Sequence, residues 1–86
     1  SSDVSDSIIS NGCQIEGSVH NSIIGRNCVI SKGATVKNCV ILGDTRIGEN
    51  VQIENQVVDK HARIEKVKRI IGDPSYPGYI KRGDRI

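Results

Sequence analysis

The chain contains no Phe, no Trp and no Met, and its two tyrosines, Tyr76 and Tyr79, stand close to the C-terminus. Without aromatic side chains, the apolar content is nearly all Ile and Val, with a single leucine, Leu42. β-Branched residues suit extended backbone, so strands are expected and helices are not. Lacking Met, the chain as given cannot start its own translation, and a fragment or processed product is expected. No stretch approaches the roughly 18 apolar residues of a membrane span, and there is no secretory signal pattern, so no membrane partner and a cytoplasmic address are expected. The net charge of +2, without a run of like charges, is too small for a nucleic-acid surface. Three cysteines, Cys13, Cys28 and Cys39, match neither a disulfide framework nor a zinc-ligand spacing. Cys13 and Cys28 fall in one column of neighbouring rows, within disulfide reach, but are expected to be small core residues kept reduced. At 86 residues there is room for one small domain with a limited core, which needs support from end caps or partners.

What the chain does have is a period. Three consecutive rows of 17 residues start at Asn21, Asn38 and Asn55, and an aliphatic residue recurs in the same three columns. Ile24, Ile41 and Val58 form the first column, Ile30, Ile47 and Ile64 the second, and Val36, Ile53 and Ile70 the third. A shorter row over residues 6–20 supplies Ile9, Ile15 and Val19, with two residues missing around Gly17, whose freedom of backbone angle would permit a tighter corner. Spacings of six and five exclude helical periods and predict a parallel β-solenoid, one coil per row and three strands per coil. Residues 1–5 are expected to be a mobile lead-in apart from Val4, residues 6–71 the coils, and residues 72–86 a capping segment over the last coil, with Tyr76 and Tyr79 as its cover.

Side chains alternate along a strand, so residues two before each column also point inward. They are Ser22, Cys39 and Gln56; Cys28, Thr45 and Ala62; and Ala34, Val51 and Lys68. Most are small, as a narrow interior requires; Gln56 and Lys68 depart from this in the last row. The residues just before the columns point outward. Gln14, Val29, Arg46 and Arg63 line one face, and Ser18, Thr35, Gln52 and Arg69 another. The third face carries Ile8, Ile23, Val40 and Val57, with Leu42 beside them, and this apolar stripe is the expected contact with another domain or subunit. Lys32, Glu49 and Lys66 alternate in sign from coil to coil, as do Lys37 and Glu54, which suggests cross-strand ion pairs. Asn21, Asn38 and Asn55 recur at one corner, where Asn tolerates left-handed geometry.

Catalytic chemistry is sparse. Neither a phosphate-cradling glycine loop nor a G-x-S-x-G nucleophile motif occurs. His20 aligns with Lys37 and Glu54, and His61 with Asn27 and Asp44, so the two imidazoles stand at different corners and no metal site is expected.

The hexads I-S-N-G-C (9–13), I-S-K-G-A (30–34) and I-G-E-N-V (47–51) resemble the hexapeptide repeat, which implies an all-β, left-handed parallel β-helix of about four coils with a C-terminal capping tail. More specifically, S-I-I-S-N-G-C-Q-I-E-G-S-V-H-N-S-I-I (7–24), V-K-N-C-V-I (36–41) and V-D-K-H-A-R-I (58–64) resemble the C-terminal β-helix of the glucose-1-phosphate adenylyltransferase (ADP-glucose pyrophosphorylase) family. The ending I-I-G-D-P-S-Y-P-G-Y-I-K-R-G (70–83) is similar to the second, regulatory, glycogen-biosynthesis type of subunit. That resemblance implies a part in making ADP-glucose and pyrophosphate from ATP and glucose 1-phosphate. It places Mg2+ and ATP on a separate N-terminal catalytic domain and implies no catalytic residue and no cofactor here. Its implied partners are that domain and other subunits of a homo- or hetero-oligomer, met through Ile8, Ile23, Val40, Leu42 and Val57. The alternative is a small trimeric hexapeptide-repeat acyltransferase with His61 as base.

Overall fold

The computed structural model describes residues 2–86, so Ser1 of the expected lead-in lies outside the described residues. Fourteen short strands and no helix are found among them. In chain order the strands are β1 (Asp3–Ser5), β2 (Ile8–Ile9), β3 (Gln14–Ile15), β4 (Ser18–His20), β5 (Ile23–Ile24), β6 (Val29–Ile30) and β7 (Thr35–Lys37). They continue as β8 (Val40–Ile41), β9 (Arg46–Ile47), β10 (Gln52–Glu54), β11 (Gln56–Val58), β12 (Arg63–Ile64), β13 (Arg69–Ile71) and β14 (Gly78–Ile80). Every third strand stacks on its predecessor. Sheet A runs β1-β4-β7-β10-β13, sheet B β2-β5-β8-β11-β14, and sheet C β3-β6-β9-β12. The result is a left-handed parallel β-helix of four coils, with β1 before the first and β14 after the last.

The aliphatic columns set the register. Ile24 pairs with Ile41, Ile30 with Ile47, and Val36 with Ile53, each one 17-residue row apart. No solvent reaches Ile24, Ile30, Val36, Ile41, Ile47, Ile53, Val58 or Ile64. Burying each such side chain contributes about 1.5–3 kcal/mol before entropy is counted, so stacking makes the core that no coil has alone. Ile9, Ile15 and Ile70 pack on this core from its ends and are partly buried.

The small inward residues do more than fit. Cys13 Sγ donates to the Gly25 carbonyl at 3.0 Å, Cys28 Sγ to the Leu42 carbonyl at 3.3 Å, and Thr45 Oγ1 to the Asp59 carbonyl at 3.1 Å. One corner carbonyl per coil is thus satisfied by the side chain of the coil beneath it, which matters because an unpaired buried carbonyl is costly. Ser22 works similarly: its hydroxyl donates to the His20 carbonyl at 2.8 Å and accepts from the Cys39 amide at 3.1 Å. Gln56 is buried, as its column requires, and its Nε2 donates to the Glu54 carbonyl at 3.2 Å.

Several expectations need correction. Lys68 does not point into the helix; it is exposed, and its Nζ donates to the Glu49 carbonyl at 3.0 Å. The irregular stretch before β13 turns the ammonium out, because nothing inside could offset its desolvation. Gly17 has no left-handed backbone angle. It is required by contact instead, since a Cβ there would stand 2.4 Å from the Ala34 carbonyl oxygen and 2.7 Å from that of Ser31. The Lys32/Glu49/Lys66 and Lys37/Glu54 columns form no ion pair within 4.0 Å; among the described residues the ion pairs join histidines to aspartates. Fixing two long exposed chains costs more entropy than a screened pair returns. Glu54 accepts from Gln52 Nε2 at 2.9 Å instead. The lead-in is ordered from Asp3, because Val4 pairs with Val19 in sheet A.

The tail caps the last coil by continuing it. β14 pairs with β11 and puts Ile80 in the core, and Arg85 bridges Arg63, with Ile86 packed against the core beside it. The tyrosines do not cover the open end: Tyr76 is 85% and Tyr79 60% exposed.

Candidate functional site

Sheet B puts the predicted contact residues in one line. Ile8 pairs with Ile23, Ile23 with Val40, and Val40 with Val57, and all four project outward because their neighbours Ile9, Ile24, Ile41 and Val58 project inward. Ile8 is 66%, Ile23 48% and Val40 36% exposed, whereas Val57 is partly covered. Leu42, also partly buried, stands on the corner beyond β8. A fifth member escaped the sequence reading. Tyr79 pairs with Val57 and extends the row to the end of the sheet. The 17-residue period misses it because the turn around Asp73–Pro77 lengthens that row by five residues; the signal lay in Gly78-Tyr79-Ile80 repeating the outward–inward order of Gln56-Val57-Val58.

The flanks of the stripe are polar and ordered. Along one runs an amide ladder: Asn21 Nδ2 donates to Asn38 Oδ1 at 2.7 Å, Asn38 Nδ2 to Asn55 Oδ1 at 3.3 Å, and Asn55 Nδ2 to the Gly72 carbonyl at 2.9 Å. The three asparagines have φ of 48°, 53° and 56°, the left-handed turn that Asn accepts at low cost. A shallow groove of about 300 Å3 separates this ladder from Ile8, Ile23 and Val40. On the opposite flank the Tyr79 hydroxyl donates to Asp59 Oδ2. That bond holds the Asp59 carboxyl below its ordinary range and raises the Tyr79 phenol above its own.

The titratable side chains form two separate clusters. On the outside of sheet A, Ser5 Oγ and His20 Nδ1 share a 2.6 Å hydrogen bond, and His20 Nε2 lies 3.5 Å from Asp3 Oδ2. These are the residue types of a nucleophilic relay, yet Asp3, which would have to orient the imidazole, is 71% exposed. The cluster ties β1 to β4. At the corner between sheets B and C, His61 Nδ1 lies 4.0 Å from Asp44 Oδ2, with both side chains half exposed. His61 also has a φ of 61°, in line with Asn27 and Asp44 of the preceding coils. All three cysteines are free thiols, and burial raises the pKa of Cys28 and Cys39 despite backbone hydrogen bonds that oppose it.

Three parallel sheets around an aliphatic core, with an apolar row along the outside of one of them, define a hexapeptide-repeat domain. A family profile described as "GlmU-like, C-terminal hexapeptide" matches residues 1–76, and the chain belongs to that family. Among curated proteins it is 32% identical over 78 residues to a glucose-1-phosphate adenylyltransferase of Acetivibrio thermocellus, covering 91% of this chain and 18% of that protein. The same enzyme name attaches to relatives from Desulforamulus reducens, at 39% identity over 72% of this chain and 16% of theirs, and Desulfitobacterium hafniense, at 29% over 96% and 22%. No solved structure matches. The chain is therefore a hexapeptide-repeat domain homologous to the C-terminal part of glucose-1-phosphate adenylyltransferases, and it spans about a fifth of the length of these relatives, 18% and 22% in two of them.

Proposed function

We infer that the chain is the assembly and regulatory domain of a glucose-1-phosphate adenylyltransferase subunit. Its sheet B packs against that subunit's catalytic-type domain or a neighbouring subunit. The observation that carries this reading is the in-register row Ile8, Ile23, Val40, Val57 and Tyr79, with Leu42 beside it; the other exposed large hydrophobic side chains, Val4, Val67, Ile71 and Tyr76, form no such row. An apolar row of about a few hundred Å2 on a small domain is the size that marks a contact. ATP, glucose 1-phosphate and Mg2+ belong, on this reading, to the catalytic-type domain, and the β-helix acts by holding that domain in its oligomer.

The test is the double substitution Ile23→Lys and Val40→Lys in the full-length subunit, followed by sedimentation and an ADP-glucose synthesis assay of the assembled complex. Both positions are exposed in the β-helix, so the coils should still fold while the assembly dissociates or loses its effector response. An oligomer of unchanged mass with unchanged activity and regulation would sink the reading.

A further inference from the structure

We propose that the outer face of sheet C is a docking surface for a carboxylate-rich segment of a partner protein, held by a ladder of three arginines. Arg46 pairs with Arg63 in the β9–β12 register, and Arg63 bridges Arg85 in the next coil. Their backbones repeat at the coil spacing of ~4.8 Å, so the ladder spans ~10 Å of outer surface.

The fold gives no reason for this stack. Like charges directly opposite one another on neighbouring strands are destabilising, and the earlier members of the column, Gln14 and Val29, show that the position accepts uncharged residues. Among the described residues none of the three guanidinium groups is held in an ion pair. Asp44, at the rim, lies 4.0 Å from His61, Glu65 borders the far side, and no arginine has a carboxylate within 4.0 Å among the described residues. A cationic row that costs the fold and has no partner within it is suited to one outside.

Shape selects the class of partner. The groove along the ladder, about 500 Å3 and lined by Asn27, Asp44, Arg46, His61, Arg63 and Arg85, lies open on the outside of the solenoid. Small-molecule pockets enclose about 70–90% of their ligand, whereas a ligand here would stay mostly in water. An extended acidic segment can meet every rung, each guanidinium taking a carboxylate through its two-pronged fork. The surface is distinct from the apolar face of sheet B and does not depend on the reading given to that face.

The experiment measures fluorescence anisotropy of a labelled oligoglutamate peptide with the full chain, at low and near-physiological salt. Binding should weaken as salt rises, and by about tenfold or more in the triple variant Arg46→Gln/Arg63→Gln/Arg85→Gln. A control that removes equal charge elsewhere, Lys32→Gln/Lys37→Gln/Lys66→Gln, should stay within about twofold of the parent. Arg63→Lys keeps the charge but not the fork and should fall between them. Circular dichroism establishes that each variant is folded. Equal losses in the two triple variants would overturn the proposal as general electrostatics. So would binding of inorganic pyrophosphate with the same arginine dependence and no binding of the peptide, which would make the ladder a small-anion site.

Discussion

The side-chain oxygen of Asn50 stands where a Cβ on Gly33 would be: a methyl built there would lie 2.1 Å from Asn50 Oδ1, and Gly33 itself has a φ of +77°. The glycine of one coil and the asparagine of the next thus form a single corner, each shaped to the other. Gly33→Ala should destabilise the domain by about 2 kcal/mol, from left-handed strain and the displaced amide together. Urea unfolding followed by circular dichroism measures it, and a midpoint unchanged from the parent would contradict the arrangement.

Asn38 occupies the centre of the amide ladder, donating to Asn55 and accepting from Asn21. Asn38→Ala loses both bonds and puts a Cβ-only residue at a φ of 53°, for an expected loss of roughly 2–3 kcal/mol. Asn38→Gly loses the same bonds but relieves the backbone, and about 1 kcal/mol is expected. The difference between the two variants in chemical denaturation separates the amide bonds from the turn.

Tyr79 and Asp59 fasten β14 through one hydrogen bond, and its pH window follows from the two shifts. The Asp59 carboxyl is held below its ordinary 3.8, so its contribution is present above that value and is lost as pH falls through the folded one. The Tyr79 phenol is raised above 10.0, so its contribution is full below that value and is lost as pH rises through the folded one. The stability difference between the parent and Tyr79→Phe should therefore be flat from about pH 5 to 9 and shrink at both extremes. A difference that varies between pH 6 and 8 would rule out this pair as its source.

Cys28 and Cys39 are buried, with thiols whose ionisation burial disfavours, whereas Cys13 is partly open to solvent. A thiol-exchange reagent at neutral pH should modify Cys13 first and reach the other two only on unfolding. Stoichiometric early reaction of all three would show that the first coils open readily.

The columns were legible because β-branched residues at a constant 17-residue interval leave little choice of which side chains meet. Outward Ile8, Ile23 and Val40 followed from the same alternation. Tyr79 and Arg85 were hidden by one event: five extra residues near Asp73 move their partners from 17 to 22 positions away, to Val57 and Arg63. Lys68 was misplaced because alternation was extended through an irregular stretch. The bonds from Cys13, Cys28 and Thr45 to carbonyls of the following coil could not be read at all, since they depend on how closely two coils approach. Sequence spacing carries register; it does not carry that distance.

The narrow range of intervals between paired strands, 15 residues at the first coil, 17 in the middle and 22 at the last, has a kinetic consequence. In β sandwiches and barrels, some strands that pair come from distant parts of the chain, and closing those loops slows folding. Here each strand meets one that the chain left a single turn earlier, so the loop to be closed stays short and does not grow as coils are added. A formed coil presents a finished edge on which the next can be laid, as a row is added to a growing crystal. Folding should thus proceed by nucleation of one pair of coils and stepwise growth toward the ends, which makes the terminal strands β1 and β14 the first to fray.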